Sequence, residues 1–191
     1  RPGLLGKDVF LHLMRERSLR DVASGRVIEF GGPGVQHLGI DMRMGIANGA
    51  AQLGALTIVF PPDRKLIEYV TPRARGPFEA VMSDKDAAYV GTFECDLSSV
   101  DFMVAGPSSI ENVRPLKDVE GTAIHAAYIG SCSSGRLEDL ALAASVVNGR
   151  KIHPNVRMVV TPISSRVLQE AATSGIVAAL VGAGATITTP G

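Results

Sequence analysis

The sequence of 191 residues contains no tryptophan, and aromatic residues make up only 5% of it. Its two cysteines, Cys95 and Cys132, are too few for a disulfide framework. Nineteen basic and nineteen acidic side chains give no net charge, so bulk charge indicates no nucleic-acid partner. No apolar run approaches the ~20 residues that span a membrane. We therefore expect a cytoplasmic protein without a membrane or nucleic acid as partner.

What the chain does contain is the composition of folded α/β domains. Hydrophobic residues make up 46% and charged residues 20%, which argues against disorder. We predict two domains, 1–118 and 119–191, the second incomplete at its C-terminal end. Apolar periodicity predicts helices at 5–17, 33–38, 41–54 and 61–69, and strands at 25–30, 56–60, 89–97 and 102–105. The irregular, polar residues 106–120 are the predicted linker.

Strands and helices alternate strictly after residue 120. The predicted strands are 123–129, 156–160 and 185–188, and the predicted helices are 136–147, 164–173 and 176–181. This alternation is typical of a parallel sheet with right-handed crossovers. In such sheets, ligands bind at the carboxyl ends of the strands. Cys132 lies between the first of these strands and the helix that follows it, so we expect its loop at that edge.

The loop around Cys132 allows several interpretations. Neither phosphate-binding glycine pattern is present, and the spacing Gly130-x-Cys132-x-x-Gly135 is one residue longer than a nucleophile elbow. A metal or cluster ligand would need an accessible thiolate and partners elsewhere. A buried structural cysteine is the usual fate of a free thiol. The bare pattern favours this last interpretation for Cys132, and packing is also the expectation for Cys95.

Residues 129–140 also resemble a known motif. Their sequence is Ile-Gly-Ser-Cys-Ser-Ser-Gly-Arg-Leu-Glu-Asp-Leu. It is similar to the Ile-Gly-Ser-Cys-Thr-Asn-Gly-Arg-Ile/Leu-Glu-Asp-Leu of the aconitase superfamily, in particular its 3-isopropylmalate dehydratase large subunits. Further segments resemble the same family in the same order, at 5–9, 46–55, 60–63 and 147–151. Because five segments occur in register, the chain is identified as a member of this superfamily. The resemblance implies aconitase-like three-layer α/β/α units with mostly parallel sheets.

The same resemblance implies a hydro-lyase, a carbon–oxygen lyase that uses a [4Fe-4S] cluster held by three cysteines. One iron of such a cluster stays open and acts as a Lewis acid. By position, Cys132 corresponds to the first cluster ligand, and the other two ligands are expected beyond Gly191. Asn48 corresponds to an active-site asparagine, and Gln52 falls where the family carries a glutamate. Asn48 and Gln52 are therefore the predicted catalytic residues.

Two departures from the family pattern affect the predicted chemistry. Gln52 has an amide in place of a carboxylate, so it can hydrogen-bond but cannot act as a carboxylate base. Ser133 and Ser134 replace Thr-Asn, and we predict that their hydroxyls bind substrate. The expected substrate is a small hydroxy-di- or tricarboxylate. A small subunit or swivelling domain of the same enzyme is the expected protein partner, because the family places its catalytic base there.

We expect residues 1–191 to be an internal segment of a longer protein and to be inactive alone, because one cysteine cannot hold the cluster. The leading hypothesis for the longer protein is a 3-isopropylmalate dehydratase of leucine biosynthesis. One alternative is a sister hydro-lyase of homoaconitase, aconitase or dimethylmalate dehydratase type. Another is a non-catalytic binding protein that has kept the fold and lost the cluster. For the enzyme, Asn48 and Cys132 are predicted to face one cleft.

Overall fold

The computed structural model describes residues 3–191. Its contacts divide the chain into two compact units, one that extends to Leu116 and one that comprises Lys117–Gly191. Helices combine with strand pairs that are parallel in both units, and the antiparallel pair lies in the first unit. The predicted α/β class with mostly parallel sheets is therefore confirmed. No helix in this part of the chain has the length and apolar character needed to cross a membrane.

The first unit contains a parallel and an antiparallel strand pair together with several helices. Its helices are α1 (Gly6–Met14), α2 (Arg17–Ala23), α3 (Ile40–Asn48) and α4 (Arg64–Val70). Its strands are β1 (Val27–Glu29), β2 (Thr57–Val59), β3 (Met103–Ala105) and β4 (Val113–Pro115). Strands β1 and β2 run parallel, and β3 and β4 run antiparallel. Short 3₁₀ turns cover Pro33–His37, Ala50–Leu53, Thr71–Arg73 and Leu97–Ser99.

The core of the first unit forms where α1 packs against α3. Phe10 and Met14 of α1 are almost completely buried there. Glycine allows the close approach at two points, since a Cβ on Gly6 would overlap the backbone carbonyl of Met42 and a Cβ on Gly49 would overlap the ring of Phe10. Side-chain atoms at either glycine would have to displace buried neighbours. The relative position of α1 and α3 therefore depends on these glycines.

Asp8 joins the start of α1 to β3. Its Oδ2 accepts a hydrogen bond from the backbone N–H of Leu5 at 2.9 Å, and its Oδ1 accepts one from Met103 at 3.0 Å. Burial raises the pKa of Asp8, and the backbone hydrogen bonds oppose that rise. The carboxylate thus satisfies two backbone donors that are distant in sequence. These two hydrogen bonds explain why the segment 5–9 contains an acidic residue on an otherwise buried helix face.

Two predicted helices of this unit are each divided in the structure. The helix predicted at 5–17 ends at Met14, and α2 begins separately because Glu16 has a ψ of 96°, outside helical geometry. The helix predicted at 41–54 ends at Asn48, and the chain continues as the 3₁₀ turn Ala50–Leu53. Gly54, with a φ of 73°, closes that turn in the left-handed conformation that glycine adopts most easily. The periodicity identified the helical segments but not these interruptions.

The strand predicted at 89–97 is wrong, since residues 89–96 have no regular structure. The segment is attached to β1 through side chains, because the hydroxyl groups of Tyr89 and Ser83 both donate to Glu29 Oε2, at 2.8 and 2.6 Å. These hydrogen bonds lower the pKa of Glu29. Val90 is exposed, whereas Cys95 is half-buried and packs against the core. The interpretation of Cys95 as a packing residue is confirmed.

The linker predicted at 106–120 contains regular structure that the sequence did not reveal. Strand β4 lies within it and pairs with β3, with Val104 opposite Arg114. A 3₁₀ turn, Leu116–Val119, follows. Three residues that end in proline are too few to show an apolar period, which is why the prediction missed this strand.

The second unit is a parallel sheet with helical crossovers, as predicted. Its strands are β5 (Ala126–Gly130), β6 (Arg157–Thr161) and β7 (Thr186–Ile187). Its helices are α5 (Ser131–Ser134), α6 (Leu137–Val147), α7 (Ser165–Thr173) and α8 (Ile176–Ala183). The strand order is β5-β6-β7, and both pairs are parallel. The single turn α5 was not predicted.

The core of the second unit lies between the sheet and its longer helices. Met158 and Val160 alternate along β6 and are buried against Leu140 of α6 and Leu180 of α8. Helices α6, α7 and α8 contact one another, as expected when successive right-handed crossovers follow one strand order. On the opposite sheet face, Tyr128 is 61% exposed. The helices thus fix the sheet whose edge carries the candidate site.

Candidate functional site

Cys132 lies at the carboxyl edge of the parallel sheet. Strand β5 ends at Gly130, Cys132 is the second residue of the single turn α5, and α6 begins after it at Leu137. The side chain is exposed. The interpretation as a buried structural cysteine is therefore wrong, and the expectation of an accessible thiol is confirmed. The edge position is the one where open α/β sheets bind ligands.

Two glycines allow the Cys132 loop to pack directly on the end of β6. A Cβ on Gly130 would overlap the backbone and side chain of Thr161. A Cβ on Gly135 would lie 2.7 Å from the carbonyl oxygen of Thr161, and the backbone N–H of Ile163 donates to Gly135 O at 2.8 Å. Between these contacts, Ser131 adopts a positive φ of 65°. The loop is therefore held by backbone contacts with β6 and the residues after it.

The start of α6 closes the other side of this loop. Asp139 Oδ2 accepts a hydrogen bond from the backbone N–H of Arg136 at 2.9 Å, an N-terminal cap of the helix. The guanidinium of Arg136 donates to the backbone carbonyl of Cys132 at 3.3 Å. Ser133 and Ser134 are half-buried on the same turn. Their proposed contact with substrate stays a prediction.

Sequence reasoning missed a pair of threonines at the same edge. Thr161 ends β6 and Thr188 follows β7, and their hydroxyl oxygens lie 2.6 Å apart. Thr161 is only 8% exposed. The backbone N–H of Thr188 donates to Val160 at 2.9 Å, and that of Gly191 donates to Pro162 at 3.4 Å. A threonine at the carboxyl end of each of two predicted parallel strands, 156–160 and 185–188, was the signal in the sequence that could have found the pair.

The predicted residues of the first unit lie at the end of α3. Asn48 is the last residue of that helix and is exposed. Gln52 is exposed on the 3₁₀ turn that follows. Gly49 between them is buried, and a Cβ there would overlap the ring of Phe10, so the backbone beside Asn48 packs directly on α1. Because these residues and Cys132 belong to different units, their common cleft stays a prediction.

A buried ion pair that the sequence did not indicate fixes α3. The guanidinium of Arg43, 3% exposed, donates to Asp63 Oδ1 at 2.9 Å and to Oδ2 at 2.5 Å. It also donates to the carbonyl oxygens of Val35 and Leu38 at 3.0 and 3.2 Å. Asp63 in turn caps α4 by accepting from Leu66 N–H at 3.0 Å. Hydrogen bonding by Arg43 is the main reason that the pKa of Asp63 falls to about 2.

The two cysteines differ in their surroundings. Burial raises the pKa of the Cys95 thiol, and the negative charges of Asp96 and Glu16 raise it further. Cys132 is exposed. Within residues 3–191, no group of three or more His, Cys, Asp and Glu side chains could hold a metal ion. These residues therefore offer an accessible thiol but not a complete metal site.

Comparison with known proteins defines the class of the chain. Residues 1–122 and 112–191 match the aconitase family (aconitate hydratase). These two matches together extend over the whole chain. The chain therefore belongs to the aconitase family, as its sequence motifs predicted.

Individual relatives show which members of the family the chain resembles. The chain is 41% identical over 184 residues to the 3-isopropylmalate dehydratase large subunit of Hydrogenobaculum sp. (strain Y04AAS1). This alignment covers 96% of the chain and 43% of the relative. The chain is 38% identical over 185 residues to the probable methanogen homoaconitase large subunit of Methanosarcina mazei, and that alignment covers 97% of the chain and 46% of the relative. The chain thus spans less than half the length of these relatives.

Proposed function

We propose that the whole protein containing these residues is a hydro-lyase acting on a hydroxy-di- or tricarboxylic acid. Its proposed type is the 3-isopropylmalate dehydratase large subunit of leucine biosynthesis. The observation that supports this proposal is the exposed thiol of Cys132 on a strand-end loop, in a chain that belongs to the aconitase family. Residues 1–118 and 119–191 would form two of its aconitase-like domains, and its proposed location is the cytoplasm.

The cofactor implied by the family is a [4Fe-4S] cluster, and the donor chemistry of Cys132 fits one of its ligands. Thiolate sulfur is the ligand that iron–sulfur clusters take from proteins. The remaining two ligands are proposed to come from cysteines that follow Gly191. When bound, the cluster supplies a Lewis-acidic iron that takes the hydroxyl and a carboxylate of the substrate.

The residues of this chain would bind and orient the substrate. The hydroxyl groups of Ser133 and Ser134 would donate hydrogen bonds to a substrate carboxylate beside Cys132. The amide of Asn48 would hydrogen-bond the substrate from the other unit. Gln52 can donate and accept hydrogen bonds, but its amide takes no proton near neutral pH. We therefore propose that the catalytic base comes from the partner, a small subunit or swivelling domain.

The test is turnover by the full-length protein together with its small subunit. Isopropylmalate, homoaconitate, citrate and a dimethylmalate-like acid would be assayed side by side after anaerobic reconstitution with iron and sulfide. We expect isopropylmalate to be turned over fastest. Activity on one of the other acids alone would transfer the assignment to a sister hydro-lyase. The Cys132→Ser variant should lose the cluster and the activity, whereas the Cys95→Ser variant should keep both.

A second candidate is a cluster-free binding protein of the same fold. It is favoured by Gln52, which carries no carboxylate at the position where the family has one. The discriminating observation is the sequence after Gly191 in the gene. A Cys-x-x-Cys within the next few residues supports the enzyme, and its absence from the gene supports the binding protein.

A further inference from the structure

Thr161 is the point where the Cys132 loop and the chain after β7 meet. Its carbonyl oxygen and backbone lie against Gly130 and Gly135, at distances that leave no room for a Cβ on either glycine. Its hydroxyl contacts Thr188 at 2.6 Å. Its methyl carbon Cγ2 lies 3.9 Å from a Cβ built on Gly191. One buried residue therefore touches both segments.

We propose that the hydroxyl pair of Thr161 and Thr188 is a positioning clasp that fixes the segment after β7 relative to the Cys132 loop. Resting on the proposed function, the clasp would set the spacing between the first cluster ligand and the ligands that follow Gly191. Neither threonine touches the reacting atoms in this role. Both act through the placement of other residues.

Hydrogen-bond geometry shows why a hydroxyl is needed at Thr161. The oxygen of Thr188 lies 3.3 Å from the carbonyl oxygen of Thr189 and 3.5 Å from that of Val160. If Thr188 donates to either carbonyl, its own oxygen is left to accept from Thr161. Valine has the shape of threonine but cannot donate or accept this bond. The pairing of β6 with β7 is also short, since β7 has only two residues. Backbone hydrogen bonds from Thr188 to Val160 and from Gly191 to Pro162 continue past β7, and the clasp adds a side-chain bond to them.

The control for this test is Thr173, whose hydroxyl donates to carbonyl oxygens of its own helix, at 3.1 Å to Gln169 and 3.0 Å to Glu170. The Thr161→Val, Thr188→Val, Thr161→Ser and Thr173→Val variants would be made in the full-length protein. Hydrogen exchange would be followed in peptides that cover residues 131–136 and 186–191. Separately, each reconstituted variant would be exposed to air, and the loss of the visible absorbance of the cluster would be timed.

Loss of one buried hydrogen bond should raise exchange in both peptides by about tenfold in Thr161→Val and Thr188→Val. The cluster should also be lost several times faster from these two variants. Thr161→Ser keeps the hydroxyl but loses a buried methyl group, so it should stay closer to the wild type than Thr161→Val in both measurements, and Thr173→Val should match the wild type. If Thr161→Val does not fold, Thr188→Val and Thr161→Ser decide the question in the same way.

The results that would contradict the proposal differ in which part of it they overturn. Unchanged exchange in Thr161→Val and Thr188→Val would overturn the clasp. Faster exchange with an unchanged rate of cluster loss would overturn its positioning role and leave a purely structural contact. A wild-type protein that takes up no cluster would contradict the proposed function, while the exchange measurement would still decide whether the clasp exists.

Discussion

The strongest test of the packing in the first unit is the Asp63→Asn substitution. Asparagine keeps an oxygen that can cap α4, but it removes the charge that faces Arg43. The guanidinium of Arg43 is 3% exposed; it would keep the carbonyl oxygens of Val35 and Leu38 and the oxygen that caps α4 as acceptors, but it would have no charged acceptor. The substitution therefore isolates the charge of the pair from the cap.

The magnitude follows from the pKa of Asp63, which falls from 3.8 to about 2. At roughly 1.4 kcal/mol per pKa unit, and discounted because the Asp63 side chain is 30% exposed, the lost attraction amounts to about 2 kcal/mol. Removing one partner of a buried pair also leaves the other charge uncompensated, and such losses total about 3–5 kcal/mol. We expect Asp63→Asn to destabilise the first unit by about 3 kcal/mol at pH 7.

Hydrogen exchange of the α3 amides measures this loss of stability in the first unit. The amides of the second unit serve as an internal reference in the same sample. The matched control is Glu68→Gln, which removes the charge from the exposed pair of Glu68 with Arg64. Surface pairs contribute little, so this variant should exchange like the wild type. If Asp63→Asn has no larger effect than Glu68→Gln, the argument from the buried pair is refuted.

The stability contributed by Asp63 should also depend on pH in a definite direction. A carboxyl group whose pKa is lower in the folded state stabilises that state above its unfolded pKa, about 4 for aspartate. The contribution of Asp63 should therefore be complete above about pH 4 and be lost as the pH falls towards 2. The difference in stability between the wild type and Asp63→Asn should shrink over that interval. A difference that stays constant from pH 7 to pH 2 would contradict the assignment.

Further predictions concern packing and thiol chemistry. Gly49→Ala should destabilise the first unit by about 1–3 kcal/mol in urea unfolding, because its Cβ would overlap the ring of Phe10, which is 1% exposed. Gly182→Ala on α8 meets no atom within 4 Å and should be neutral or stabilising, and equal effects of the two substitutions would refute the overlap. A thiol reagent should modify Cys132 before Cys95, because Cys95 is half-buried with a raised pKa. Faster modification of Cys95, followed by peptide mapping, would contradict the placement of the loop.

The second unit could be predicted from the sequence because its signals are local. Each strand is a short apolar run, each helix has its own period, and strict alternation leaves a parallel sheet as the expected arrangement. The position of Cys132 at the strand edge follows from that arrangement alone. Its exposure did not follow from the bare pattern, since a free cysteine is usually buried. The resemblance to the family supplied that part of the prediction.

The parts that escaped prediction depend on contacts between distant residues. The alternation at 89–97 suggested a strand, but residues 89–96 are irregular and Tyr89 is hydrogen-bonded to Glu29, 60 residues earlier. The contact of Thr161 with Thr188 requires the strand order to be known first. The pair of Arg43 with Asp63 likewise joins a helix to the turn before another helix, and no local period marks it.

A common arrangement links the candidate residues of both units. Each is carried on a backbone segment that glycine packs tightly onto a buried residue, Gly49 onto Phe10 and Gly130 onto Thr161, while the candidate side chain itself is exposed or half-buried. The stability of the fold therefore depends on the supporting residues rather than on the side chains that would contact a ligand. An amide at position 52 or a second serine at position 134 changes the chemistry offered there without disturbing the support. The match to the family model therefore identifies the family, whereas the proposed choice between isopropylmalate, another hydroxy acid and a cluster-free ligand must be tested on the candidate side chains themselves.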